Sequence, residues 1–127
     1  YAPGKWTVRQ VVAHLADTEI VFLYRFLKGI GEPGSPIVAF EQDDWVRELE
    51  AERRPMSLSL QMMSTARMGL AHYVSTLPED KLARTSVHPH YGPQSARRIA
   101  ERCVEHFDHH LEQIQAALEG RVWTKKA

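Results

Sequence analysis

Apolar residues recur at helical spacing in three long stretches of the chain. Near the C-terminus they fall at Ala96, Ile99, Ala100, Cys103, Phe107, Leu111, Ile114 and Leu118, the three-four spacing of a helix with one face in a core. This pattern predicts a helix over about 93–118, entered at Gly92-Pro93 and capped by Gly120. Near the N-terminus, Val8, Val11, Val12, Leu15, Phe22, Leu23, Phe26 and Ile30 predict a helix near 6–29, with Thr7 as N-cap and a stop at Gly29-Ile30-Gly31. Between Pro55 and Pro78, an i, i+4 ridge of Leu58, Met62, Ala66, Leu70, Tyr73 and Leu77 predicts a third helix near 57–77. Met56, Met62, Met63 and Met68 read as adaptable core filling. A short helix near 41–50 carries Asp43-Asp44-Trp45. Residues 31–36 and 87–93 read as loops, rich in Gly, Pro and His. No segment alternates convincingly like a strand, so the expected class is all-α, in one domain over 1–127.

Several polar residues sit unusually on these helices. At about 100° per residue, His110 lies roughly 50° from the centre of the last helix's apolar stripe and His106 roughly 90° from it, on the same side. His109 points almost opposite, to water. His106 and His110 thus form an i, i+4 pair facing inward. Such a pair converges on one point and suits zinc, nickel, copper or iron. It also fits a histidine-rich helix with ordinary satisfied side chains, and spacing leaves both readings open. On the first helix, His14 lies roughly 130° from the apolar stripe and reads as a surface histidine unless another element covers that flank. Glu19 is the reverse: it falls near the stripe's centre, where a carboxylate needs a partner, with Arg25 or a histidine as candidates. His72 reads as solvated, and His88 and His90 read as exposed loop histidines or as lining a pocket mouth.

Composition removes some function classes. Lys plus Arg and Asp plus Glu balance at 16 each, which argues against a nucleic-acid surface, since phosphate neutralisation needs excess cations. No apolar run is long enough to span a membrane. One cysteine, Cys103, permits no internal disulfide, which suits the cytoplasm, and reads as a small buried hydrophobe. The chain starts without Met at Tyr1, as a fragment would. No phosphate loop, nucleophile elbow, CxxC or HExxH occurs.

With His14 set beside His106 and His110, the chain resembles a known family. Trp6-Thr7-Val8-Arg9-Gln10-Val11-Val12-Ala13-His14-Leu15-Ala16-Asp17-Thr18-Glu19 resembles the W-S/T-x-x-x-(V/I/L)-x-x-H-L-x-D-x-E signature of the DinB-like (YfiT-like) superfamily. His88-Pro89-His90-Tyr91-Gly92 and His106-Phe107-Asp108-His109-His110-Leu111-Glu112-Gln113-Ile114 resemble its H-P-x-(F/Y)-G and H-x-x-H-H-x-x-Q-I segments, in the expected order. The resemblance implies a four-helix bundle with up-down-down-up connections. It implies a divalent transition metal, zinc or nickel foremost, on His14, His106 and His110. Family members usually carry a further helix before the W-S/T motif. Its absence here predicts an apolar face covered by the 41–50 helix or by a second subunit, and hence a homodimer.

A three-histidine site with open positions is of the catalytic kind. The resemblance implies a metal-dependent hydrolase acting on a small molecule. Asp17 and Glu19, one turn beyond His14, are the candidate general base or imidazole orienters. Two alternatives stand beside it. One is a transferase or isomerase using a low-molecular-weight thiol; this calls for a cationic pocket, for which Arg9, Arg25, Arg97 and Arg98 are available without obvious convergence. The other is a non-catalytic stress-response bundle that binds metal. Because imidazole ligates only when neutral, the sequence predicts metal affinity falling below about pH 6.5.

Overall fold

The computed structural model describes residues 6–121 and 123. Helix α1 (Val8–Gly31) is the central element, and α3 (Met56–Thr76) and α5 (Ala96–Leu118) pack on either side of it. Between them lie the short α2 (Gln42–Glu48), a 3₁₀ turn at Ala51–Arg53, the one-turn α4 (Glu79–Leu82) and a hairpin of β1 (Thr85–His88) and β2 (Gly92–Ser95).

Local chemistry sets the helix ends. Thr7 accepts from the Gln10 N–H at 3.2 Å, and the Gln10 side chain accepts from the Thr7 N–H at 2.8 Å, a complete capping box. Pro78 follows α3 and prevents its continuation. Gly120, at φ +68°, turns the chain beyond α5 so that the Arg121 N–H reaches the Ala116 carbonyl at 2.8 Å.

The hairpin corrects the reading of 87–93 as a loop and of the last helix as starting at 93. Thr85–His88 pairs antiparallel with Gly92–Ser95, and α5 begins only where the Ser95 hydroxyl accepts from the Arg98 N–H at 3.0 Å. Strands of four residues are too short for alternation to register. A further signal is tertiary: Ile37 donates to the Val87 carbonyl at 2.8 Å, and Val87 donates to that of Ser35 at 3.0 Å. His88 Nδ1 closes the turn by accepting from the His90 and Tyr91 N–H groups at 3.0 and 3.2 Å.

The main core gathers Phe26, Ile37, Leu70, Leu82, Ala96, Ile99, Ala100 and Cys103, with Phe22, Leu23, Ile30, Val74 and Leu77 packed around it. α3 contributes less to it than its sequence suggests. Only Ser59, Ala66 and Leu70 are buried on that helix; Met68 is exposed, the other methionines are only half-buried, and Leu58 is exposed. On α5 the C-terminal part of the apolar stripe faces outward, with Leu111 and Leu118 exposed while His110 is buried. The reason is shared. α3 and α5 each pack chiefly on α1 and touch one another little. They leave between them a groove of about 340 Å³ lined by Leu70, Ala71, Val74, Ala100 and Val104 and flanked by Arg67, Arg97 and Glu101. No helix among the described residues is long and apolar enough to cross a membrane.

Candidate metal centre

α1 and α5 run in opposite directions, so the start of α1 meets the middle of α5. This brings His14 against His106 and His110. The three Nε2 atoms converge: His14 to His106 is 3.3 Å and His106 to His110 is 3.1 Å, and all three lie within 4.8 Å of one another. Ligand atoms about 2.0–2.1 Å from one tetrahedral ion lie about 3.3 Å apart, close to the His14–His106 and His106–His110 separations. The rings are steeply inclined to one another in T-shaped arrangements, at 65–77° between planes.

His14 is 1% exposed, which corrects the wheel's assignment of it to the surface. The covering element is local. Ala13 of α1 packs with Val46 of α2, Ala51 of the 3₁₀ turn and the indole of Trp6. Trp6 also lies 4.8 Å from the His14 ring and 6.5 Å from that of His110. His109 is outside the cluster, its ring 4.7 Å from Trp123.

Burial is the main influence on the three imidazoles. It pushes His14 down from 6.5 to about 3, with the neighbouring His110 and His106 adding to the effect. It pushes His106 down to about 4, helped by His110 and His109. His110 is lowered by burial too, against an opposing hydrogen bond to Gln113. All three are therefore neutral ligands at pH 7, and His14 and His106 stay neutral well below 6.5, so proton competition for a bound metal sets in at lower pH than the free-imidazole value implied. A stability prediction follows. The unfolded chain takes up protons near 6.5 while the folded chain resists to about 3–4, so this contribution is complete above 6.5 and declines as pH falls below it. Thermal melts of the metal-free protein should fall steadily from pH 7 to pH 4, and His14→Gln should flatten that slope.

His110 Nδ1 lies 2.6 Å from Gln113 Oε1. Nδ1 is then the protonated nitrogen, and Nε2 keeps its lone pair for the cluster. The Thr18 hydroxyl donates to the His14 carbonyl at 2.8 Å and lies 3.4 Å from His14 Nε2. Wheel reasoning passed over Gln113, Thr18 and Trp6. The first and last nevertheless stand in the family motifs, Gln113 at i+3 from His110.

The structure gives Asp17 and Glu19 other partners than the imidazoles. Asp17 accepts from Arg54 at 2.9 Å, and Arg54 also donates to the Ala13 carbonyl at 3.1 Å. Glu19 is 3% exposed and is held by the Arg67 guanidinium, with Nε donating at 3.0 Å. Its partner is therefore neither Arg25 nor a histidine. The Cys103 thiol donates to Glu19 at 3.3 Å, and burial raises that thiol to about 12, so it is a protonated, unreactive group at neutral pH. Neither carboxylate hydrogen-bonds an imidazole among the described residues. Arg54 and Arg67 were not foreseen, because nothing local in the sequence links them to α1.

The family model for the DinB superfamily matches residues 1–114. The chain belongs to the DinB superfamily. Its relatives include "Putative metal-dependent hydrolase OB0413" of Oceanobacillus iheyensis, 26% identical over 94% of this chain and 69% of the relative. A second, "Putative metal-dependent hydrolase OB0782" of the same organism, is 28% identical over 97% of this chain and 71% of the relative. Among solved structures, YfiT from Bacillus subtilis superposes with a TM-score of 0.85 at 26% identity, over 96% of this chain and 71% of YfiT. It is described as "a probable metal-dependent hydrolase with an unusual four-helix bundle topology". The mostly helical fold of this DinB chain, with α1, α3 and α5 as its long helices, matches that bundle.

Proposed function

We propose that this DinB-family chain is a metal-dependent hydrolase of a small molecule, with His14, His106 and His110 as the ligands of one divalent ion. The observation that carries the reading is the convergence of three neutral Nε2 atoms at the ligand spacing of a single ion. A divalent ion held there supplies Lewis acidity and a water acidic enough to lose its proton near neutral pH. We take the ion to be zinc or nickel, both of which neutral imidazoles suit.

The chain's own residues set the conditions. Gln113 fixes the tautomer of His110, and Trp6 shields the His14 and His110 rings on one side. Thr18 spends its proton on the His14 carbonyl, which leaves its oxygen an acceptor beside the donor cluster. Asp17 and Glu19 serve here as framing groups. They tie the segment at Arg54 and helix α3 to α1, and so keep His14 in register with α5.

The same reading takes the protein as a cytoplasmic homodimer that does not act on nucleic acid. The balanced charge and single buried cysteine support the environment and the absence of nucleic acid. The apolar groove between α3 and α5 supports a second copy.

Elemental analysis of untagged protein, followed by a panel of esters, amides and thiol adducts, tests the proposal. One equivalent of metal and chelator-sensitive turnover of an ester or amide are expected. Turnover confined to thiol adducts, or no bound metal, overturns it. Gln113→Ala should weaken metal binding about 10–100-fold, the usual effect of losing a partner that orients a ligand; metal titration by calorimetry reads this directly.

A further inference from the structure

Two arginines stand beyond the histidine cluster on the helices that carry it. Arg25 is eleven residues past His14 on α1, within about 20° of the same face and roughly 16 Å further along. Arg102 is one turn before His106 on α5. Because α1 and α5 are antiparallel, both lie on the same side of the cluster. Phe22 links them to it: its ring is 6.1 Å from the His106 ring and 5.7 Å from Arg25 Cζ.

Both guanidiniums are held in place by contacts other than a direct ion pair. Arg25 donates one N–H to the Val38 carbonyl at 2.9 Å and lies 5.8 Å from the Phe40 ring. Arg102 lies 4.2 Å over the Tyr91 ring. Among the described residues, neither forms a salt bridge. Glu105, one turn from Arg102, pairs directly with Arg98 at 2.8 Å, which with a smaller contribution from Arg102 holds its carboxyl below the usual range. The other arginines of α5, Arg97 and Arg98, both have carboxylate partners. The turn of the hairpin adds a third donor. His88 lies 4.5 Å from Tyr91, and its Nδ1 accepts two backbone N–H groups, so the neutral ring carries its proton on Nε2. The three cationic or donor groups also feel one another. Arg25 is lowered by burial and then by Arg102, and His88 by burial and then by Arg102 and Arg25.

We propose that Arg25 and Arg102, with His88, form an anion-binding subsite, and that it holds a carboxylate or phosphate group of the molecule processed at the histidine centre. Fixed guanidinium forks without a direct carboxylate partner suit a planar or tetrahedral oxyanion, because each keeps N–H groups to donate to it. Like charges gathered in a chain of zero net charge destabilise the fold by repulsion, and a bound oxyanion removes that repulsion. The part that concerns catalysis rests on the hydrolase reading; the anion site itself does not.

The test separates the two. Metal-free protein is titrated with succinate and, separately, inorganic phosphate, while the Arg side-chain Nε–H and His88 ring signals are followed by NMR. Saturable shifts of Arg25, Arg102 and His88 are expected with at least one probe, and the better probe names the group. Arg25→Gln and Arg102→Gln should each weaken binding about tenfold or more, the usual loss for a hydrogen bond to a charged group. Arg102→Lys, which keeps the charge, should fall between, and it guards against a folding defect in the neutral variants. Absence of saturable shifts in folded wild-type protein overturns the subsite. Metal-loaded protein is then assayed with two matched esters, one with a carboxylate tail and one with a neutral amide tail. A preference for the anionic ester of about tenfold in kcat/KM, lost in Arg25→Gln, is expected. Equal kcat/KM for the two esters overturns its role in substrate binding and leaves the hydrolase reading standing. Anion binding without any turnover leaves the subsite standing and sinks the hydrolase reading.

Discussion

His106→Ala or His110→Ala should leave the protein without stoichiometric metal. Each removes one of three converging Nε2 atoms, and the two that remain make a poor site for zinc or nickel. The loss should exceed the 10–100-fold that follows loss of a mere orienting partner. His14→Ala should have the same effect, since its Nε2 lies 3.3 Å from that of His106 and no other donor on α1 is part of the cluster. His109→Ala should keep full stoichiometry. Its ring packs on Trp123 and lies outside the cluster, although it is sandwiched in sequence between potential ligands. Elemental analysis after exhaustive dialysis reads all four variants, with circular dichroism to show that each is folded. Loss of metal in His109→Ala with retention in His110→Ala would reverse the helix phase and end the proposal.

The second large effect concerns stability. Arg67→Met should cost about 3–5 kcal/mol, because it strands the carboxylate of Glu19, 3% exposed, without its counter-charge. Methionine keeps much of the side-chain volume over Phe107, which the Arg67 guanidinium now covers at 5.2 Å, so the loss is mainly electrostatic. For a chain of this size a loss of that order lowers the melting temperature by roughly 10–20 °C. The double variant Glu19→Leu/Arg67→Met should recover most of it, since replacing both members of a buried pair with apolar groups is often neutral or favourable. Chemical denaturation of wild type and the three variants completes the cycle. A single Arg67→Met variant within about 1 kcal/mol of wild type, at the median worth of an exposed pair, would show that this pair behaves like a surface salt bridge.

Much of the architecture was legible because the signals that specify it are local. Thr7 and Gln10 cap α1 within one turn, Pro78 bars the continuation of α3, and Gly120 supplies a left-handed residue after α5. The inward phase of His106 and His110 could be read as well, because both lie on the flank of a stripe that Ile99 and Cys103 anchor in the core. The hairpin was missed for lack of such signals. Its short strands pair with each other, and β1 is held to residues 34–37 by contacts made some fifty residues apart in sequence.

The histidine cluster shows where the division falls. Helical periodicity alone orients each imidazole about its own axis, and that sufficed for the pair on α5. It gave the wrong surroundings for His14, whose burial depends on α2, the 3₁₀ turn and Trp6 closing over a flank that α1 by itself leaves open. The exposed Met68 of α3 and the outward Leu111 and Leu118 have the same origin, since an apolar stripe is buried only where a neighbour packs on it. Partners for Glu19 and Asp17 were equally out of reach: periodicity shows that a buried carboxylate needs a cation, and only the packing of α3 and the 51–54 turn against α1 selects Arg67 and Arg54. Periodicity and capping are properties of a few consecutive residues, and the chain carries them wherever it goes. Burial, ion pairing and the meeting of three nitrogens are properties of which surfaces come together, and those exist only once the helices have docked.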